Sequence, residues 1–165
     1  MTATLLHDAP AADVPRIDYA QVAPGARRAQ VGLETYIRGC GLESSLIHLM
    51  KLRASYLNGC AYCVDMHTKD ARQEHESEQR LYAVPVWRET PFFTPRERAA
   101  LAWTDAVTEV GATHVPDDVF DEVRRHFTDA EIVDLTMVVI TINGWNRIAI
   151  AFRVPVGSYV PRKPA

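Results

Sequence analysis

The chain has 165 residues, 47% hydrophobic and 24% charged, the composition of one folded domain with a sizeable core rather than of a disordered segment. Eighteen basic against 21 acidic residues give a net charge of −3. The basic residues are scattered, with only pairs such as Arg27-Arg28 and Arg124-Arg125, which excludes the cationic stripe that a nucleic-acid binder presents to phosphates. The longest apolar stretch, Ile132 to Phe152, is broken by Asp134, Asn143, Asn146 and Arg147, which argues against a bilayer-spanning run of ~20 residues. The opening MTATLLHDAPAADV lacks the basic start of a secretory signal. A soluble, cytoplasmic protein without nucleic-acid or membrane partners is expected.

Residues 1–16 read as a flexible arm, small and polar. From Ala26 the apolar residues Ala29, Leu33, Tyr36, Ile37 and Cys40 recur at helical spacing, and Gly39 and Gly41 stop the run. A second helix, about Ser44 to Leu57, carries Leu46, Met50, Ala54 and Leu57 on one face. Asn58-Gly59 ends it, since both residue types tolerate the left-handed conformation of a helix C-terminus. A third helix starts at or near Cys60 and runs to about Glu74, so short a turn making the pair an antiparallel hairpin. Ser77 to Val84 is a short helix, followed by a loop around Pro85, Trp87 and Pro91.

Thr94-Pro95-Arg96-Glu97 is a capping box with proline at the first helical position, opening a helix to about Val110. Pro116 opens another, to Phe127. Thr128-Asp129-Ala130-Glu131 is a second capping box and launches the apolar stretch to Phe152. Within it the β-branched run Val138–Ile142 would suit a buried strand. The capped start and the length favour a helix that is apolar nearly all round, central or at a subunit interface. With no internal repeat and no βαβ alternation, the expected fold class is an all-α bundle of six to seven helices. One domain spans 17–158, followed by a Pro-rich tail at 159–165.

The chemistry concentrates in Cys60-Ala61-Tyr62-Cys63. Three cysteines is an odd count for a disulfide scaffold, and in a reducing compartment a CxxC is read as redox chemistry or as half of a metal site. Both cysteines fall in the first turn of a helix, where free N–H groups and the macrodipole stabilise a thiolate. His67 follows Cys63 by one turn, within reach as a base. His48, 12 residues before Cys60, faces His67 across the hairpin, and Asp70 is the alternative orienting group. The dipole favours Cys60 as the more acidic thiol, whereas proximity to a base favours Cys63. Cys60, Cys63, His67 and His48 are also a Cys2His2 set, but ligands at i, i+3 and i+7 of one helix converge poorly on one ion, so no metal is expected.

Elsewhere Cys40 reads as an ordinary buried thiol and His7, His75, His114 and His126 as surface residues. Arg53 reads as a salt-bridge partner. Tyr62 is a pocket wall or packing, and Trp87, Trp103 and Trp145 are core or interface aromatics. Asn143, Asn146 and Arg147, polar groups within an apolar helix, call for interhelical or intersubunit hydrogen bonds.

Beyond the run Arg53–His67, the chain carries Glu78-Gln79-Arg80-Leu81-Tyr82, Trp87-Arg88-Glu89-Thr90, Phe93 to Ala102, and Asn143-Gly144-Trp145-Asn146-Arg147. With these motifs it resembles, from about Ile17 to Ser158, the carboxymuconolactone decarboxylase/alkylhydroperoxidase D superfamily, and more closely its cysteine-containing peroxidase branch. The resemblance implies an all-α homo-oligomer, trimer or hexamer, acting as a thiol-dependent hydroperoxide reductase. Cys63 would be the peroxidatic cysteine, Cys60 its proton donor and resolving partner, and His67 part of a proton relay. The substrate would be a small hydroperoxide. No cofactor would be bound, and the reductant would be an external dithiol: a lipoyl or thioredoxin-like protein or a small thiol. Two departures stand out: His48 occupies the place of the relay glutamate, and Tyr62 stands where some members have histidine between the cysteines. The alternatives are a decarboxylase or other lyase acting on a lactone-type carboxylate, with dispensable cysteines, and a non-enzymatic redox-sensing oligomer.

Overall fold

A computed structural model describes residues 14–161. Among them are nine α-helices and one 3-10 helix, with no strand: α1 (Tyr19–Val22), α2 (Pro24–Arg38), α3 (Ser44–Leu57), α4 (Ala61–Gln73), α5 (Glu78–Ala83), the 3-10 helix Val84–Glu89, α6 (Pro95–Thr108), α7 (Val110–Thr113), α8 (Asp117–Arg124) and α9 (Asp129–Phe152). All seven expected helices are present. The two additions, α1 and α7, are single turns of four residues, too short to show a period. The expected loop around Pro85 and Trp87 is instead the 3-10 helix, with Pro85 in its first turn and Trp87 buried. A proline's fixed φ suits the start of a helix as well as it suits a turn.

Both capping boxes form in full, at Thr94/Glu97 and Thr128/Glu131. The second commits the β-branched run to α9, where Thr136 and Thr141 hydroxyls bond back to the carbonyls of Ile132 and Met137. At 24 residues α9 is long and apolar enough to cross a bilayer, which its polar interruptions did not foretell. Here it packs against α2, α3, α4, α6 and α8, and the polar residues Asp134, Thr141 and Asn146 face inward. Gln30 of α2 lies over Gly144, 2.7 Å from where a Cβ would stand, and bonds the Thr141 carbonyl at 2.8 Å. A larger residue at Gly144 would push the Gln30 amide aside and break its bond to α9.

Three apolar clusters fill the bundle. Leu46, Met50, Ala100, Leu135 and Val138 join α3, α6 and α9, and Leu49, Leu52, Leu81, Trp87 and Leu101 pack beneath the 3-10 helix. Ala54, Cys60, Cys63, Ile142 and Ala149 form the third, so the two sulfurs sit where α3, α4 and α9 meet. The α3–α4 hairpin turns on Gly59 at φ +67°, while Asn58 stays right-handed at φ −82°. Of the expected arm, residues 1–13 lie outside the described residues, whereas Arg16 donates its backbone N–H to the Phe152 carbonyl at 2.8 Å. At the other end Lys69 donates to the carbonyls of Gly157 and Tyr159, and residues 162–165 of the expected tail again lie outside.

One buried carboxylate ties these layers together. Asp105 of α6 accepts from Arg53 Nε of α3 at 2.6 Å, from Trp87 Nε1 at 3.3 Å and from Arg88. Arg53 is therefore the salt-bridge partner expected of it. Asp105→Ala would strand a guanidinium whose side chain is 13% exposed, and breaking such a pair from one side costs about 3–5 kcal/mol. Urea denaturation of the variant should show a loss of that size, and a loss under 1 kcal/mol would mean that the cluster is solvated.

Candidate active site

Cys60 is the N-cap of α4, where a side chain must accept one of the helix's unpaired N–H groups. Its sulfur does so, accepting the Cys63 backbone N–H at 3.4 Å. Both cysteines are 1% exposed and unpaired as thiols. The two titrate as one unit. Hydrogen bonds from the Cys63 thiol, the Cys63 and Tyr62 backbone N–H groups and the Asn146 amide bring Cys60 down to about 7 against the cost of burial. The bond it gives to Cys60, together with burial and the Cys60 charge, pushes Cys63 up. The first negative charge thus rests on Cys60, as the helix dipole predicts, and Cys63 keeps the proton between them.

The Asn146 amide is held in one orientation by its neighbours. Ser55 donates to the Lys51 carbonyl at 2.7 Å, so its oxygen is free to accept Asn146 Nδ2 at 3.1 Å. Asn58 Nδ2 bonds the Asn146 oxygen at 2.9 Å and the Asn143 oxygen at 3.0 Å. This network assigns the Asn146 NH2 group to the sulfur side.

His67 is 3% exposed, and neither ring nitrogen has a partner among the described residues. Burial above all, then the positive charge of Lys51 and the nearby His48, hold its pKa well below the ordinary histidine range, so it stays neutral. Lys51 is itself buried and paired with Glu34 at 2.7 Å. His48 does face His67: the ring centroids are 6.2 Å apart at 56°. Its Nδ1 is buried and unpaired, while its Nε2 meets Glu74 Oε1 at 3.2 Å. Glu74 Oε2 accepts the Ser44 hydroxyl at 2.6 Å. Burial works against this carboxylate, but Ser44 and His48 outweigh it and hold it below the usual range. Asp70 is occupied elsewhere, accepting the Tyr159 hydroxyl at 2.7 Å.

The four expected residues, Cys60, Cys63, His67 and His48, thus lie along one hairpin in that order. Tyr62 packs against the cysteine cluster with Trp145 and Val154. Cys40 bonds the Ile37 carbonyl and is remote from the others in the fold's first cluster. His75 and His114 are exposed, His126 meets Glu122, and His7 lies outside the described residues. Among the described residues no group of three or more His, Cys, Asp or Glu side chains is set to hold a metal. Asn146, Ser55 and Glu74 join the site from beyond the CxxC neighbourhood. The one signal for Asn146 is a polar residue on an otherwise apolar helix, and for Glu74 an acid at the C-terminal end of a helix, where the dipole disfavours it.

Removing the Asn146 donor should raise the thiolate midpoint. In Asn146→Ala the pH profile of iodoacetamide alkylation should shift up from about 7 by roughly one unit, the loss of one hydrogen bond to a charged group. An unmoved midpoint would remove Asn146 from the site.

Residues 24–106 match the profile of the carboxymuconolactone decarboxylase family. The chain is 39% identical over 136 residues to the uncharacterized protein YdfG of Bacillus subtilis, across 82% of this chain and 92% of that one. It superposes with TM-score 0.85 and 50% identity on the crystal structure of an Agrobacterium tumefaciens protein of unknown function, a candidate AhpD antioxidant defence protein, covering 88% and 99% of the two chains. A peroxidase-related protein of Ralstonia eutropha with an alkylhydroperoxidase AhpD core shares the fold at TM-score 0.75 and 24% identity, covering 88% and 78%. The matched profile, the near full-length relative and the shared all-α AhpD-like fold together establish that this chain belongs to the carboxymuconolactone decarboxylase family.

Proposed function

We propose that the protein is a thiol-dependent hydroperoxide reductase. The observation that carries this reading is the buried pair Cys60–Cys63 sharing one proton at a helix start, with the buried imidazole of His67 one helical turn further along α4. Cys60, charged at rest, takes the Cys63 proton, and the Cys63 thiolate attacks the outer oxygen of a small hydroperoxide. The S–O bond forms as the O–O bond breaks, giving a Cys63 sulfenic acid and an alkoxide that takes the proton back from Cys60. Cys60 thiolate then attacks the Cys63 sulfur and displaces hydroxide, which one further proton turns to water. The product is a Cys60–Cys63 disulfide, two electrons more oxidised than the pair. An external dithiol, lipoyl, thioredoxin-like or a small thiol, reduces it by exchange. No bound cofactor takes part. The reducing cytoplasm is the compartment that keeps such a pair reduced.

Cys63 as attacker is what the resemblance implies; its raised pKa means that its thiolate forms only as Cys60 takes the proton. A lyase acting on a lactone-type carboxylate would have no use for the sulfurs. One equivalent of hydroperoxide should lower the intact mass by about 2 Da, reversibly with dihydrolipoamide, and Cys60→Ser should instead stop at a gain of about 16 Da. Unreactive thiols, together with carboxylactone turnover unaffected by Cys63→Ser, would sink the peroxidase reading in favour of the lyase. A change of assembly on oxidation without turnover would favour the sensing oligomer.

The working unit is a homo-oligomer, trimer or hexamer. Val133 (59% exposed) and Ile140 (47% exposed) lie two turns apart on α9, and Tyr36 of α2 is half exposed. Apolar side chains in such a run mark an interface. Light scattering at micromolar concentration should give a mass of three or six chains. A mass of 18.5 kDa would refute this.

A further inference from the structure

We infer that Glu74 is the solvent-side end of the proton path from the cysteine pair, positioning His48 and exchanging its Nε2 proton. This rests on the reading of Cys60 and Cys63 as the reacting pair, whose charge balance it completes. Oxidation of a pair holding one proton consumes one more, to release hydroxide as water, and reduction of the disulfide by a dithiol gives one back. Both sulfurs are 1% exposed, so groups of the protein itself are placed to carry that proton between them and bulk solvent.

A route is laid out along α4. Cys63, His67 and Glu74 follow one another over 11 residues, about 16 Å of helix at 1.5 Å per residue. His67 and His48 both keep buried ring nitrogens without a partner among the described residues, on rings that neighbour each other, and polar atoms are rarely buried without use. One bridging water would complete the link between the two rings. On its outer side His48 meets Glu74, whose side chain is 45% exposed in a cleft of about 150 Å³ walled by Ser45, Leu49 and Ala71. A proton leaving the sulfurs binds His48 Nδ1 as the proton on Nε2 passes to Glu74, and the reverse shift returns it.

Helix stability does not account for Glu74. It is the C-cap residue of α4, at the negative end of the helix dipole, which disfavours a carboxylate, and it is kept there by Ser44 and His48. The other charged groups facing the histidines are engaged: Lys51 with Glu34, Glu76 with Arg80, Asp70 with Tyr159. His75 lines the same cleft from the residue after Glu74.

The test follows disulfide formation by stopped flow from pH 6 to 9, driven once by hydroperoxide and once by oxidised dithiothreitol. Glu74→Gln keeps an acceptor but cannot carry the proton. It should slow both reactions by about 10²-fold, the low end for acid–base help, with the alkylation midpoint still near about 7. Imidazole buffer should restore the rate of Glu74→Ala, a rescue that a structural defect would not show, and Ser44→Ala should slow it less. If Glu74→Gln matches wild type with both oxidants, the inference is overturned. If wild type resists hydroperoxide yet exchanges with oxidised dithiothreitol, and Glu74→Gln slows that exchange, the relay stands and the peroxidase reading falls.

Discussion

A negative charge on a buried sulfur must be met by oriented dipoles, since burying an unmatched charge costs several kcal/mol. Here the dipoles come from three directions: the first turn of α4, the thiol of Cys63, and the Asn146 amide of α9. Each donor is fixed by something further out. Gly59 sets the turn that brings Cys60 to the N-cap, and Ser55 with Asn58 fixes the amide. Gln30 over Gly144 binds α2 to the stretch of α9 that carries Asn146. The hairpin and the long helix are thus parts of one electrostatic device, and the Arg53–Asp105 cluster locks α3 in place behind it.

The same constraint shapes the histidines. A charged imidazole next to Lys51 and deep in the bundle would be costly, so His67 is neutral, which in the proposed reaction suits a conduit more than a strong base. This relieves the tension between the dipole, which favours a thiolate on Cys60, and proximity to a base, which favours Cys63. The charge rests on Cys60, and in the proposed reaction Cys60 itself is the base for Cys63. The negative charge that His48 cannot supply is provided one contact further out by Glu74. A carboxylate is present along the line after all, displaced toward solvent from the position where the resemblance looks for one.

The order and extent of the main helices are legible in the sequence because capping boxes, the Asn58-Gly59 stop and apolar periodicity are local signals. The facing of His48 and His67 follows from hairpin geometry in the same way. Contacts between distant elements are another matter. Glu74 meets His48 across 26 residues, and Asn146 reaches Ser55 across 91; no spacing rule connects such positions. Asn146 announces itself as a polar residue in need of a partner, but which partner depends on how α9 is rotated against the hairpin. The 3-10 helix at Val84–Glu89 is hidden for the opposite reason, since Pro85 satisfies a loop and a helix start equally well.

The core claim is that the reduced pair holds a single proton, with the charge on Cys60, and that a proton must enter as the disulfide forms. The most direct measurement is proton uptake. Reduced protein at pH 8 in very weak buffer, with a pH indicator, receives one equivalent of hydrogen peroxide while disulfide formation is followed by mass. With Cys60 titrating near about 7, uptake should approach about one proton per disulfide at pH 8 and fall away below pH 6. Disulfide formation with no proton taken up at pH 8 would mean that both thiols are protonated at rest, and would contradict the account.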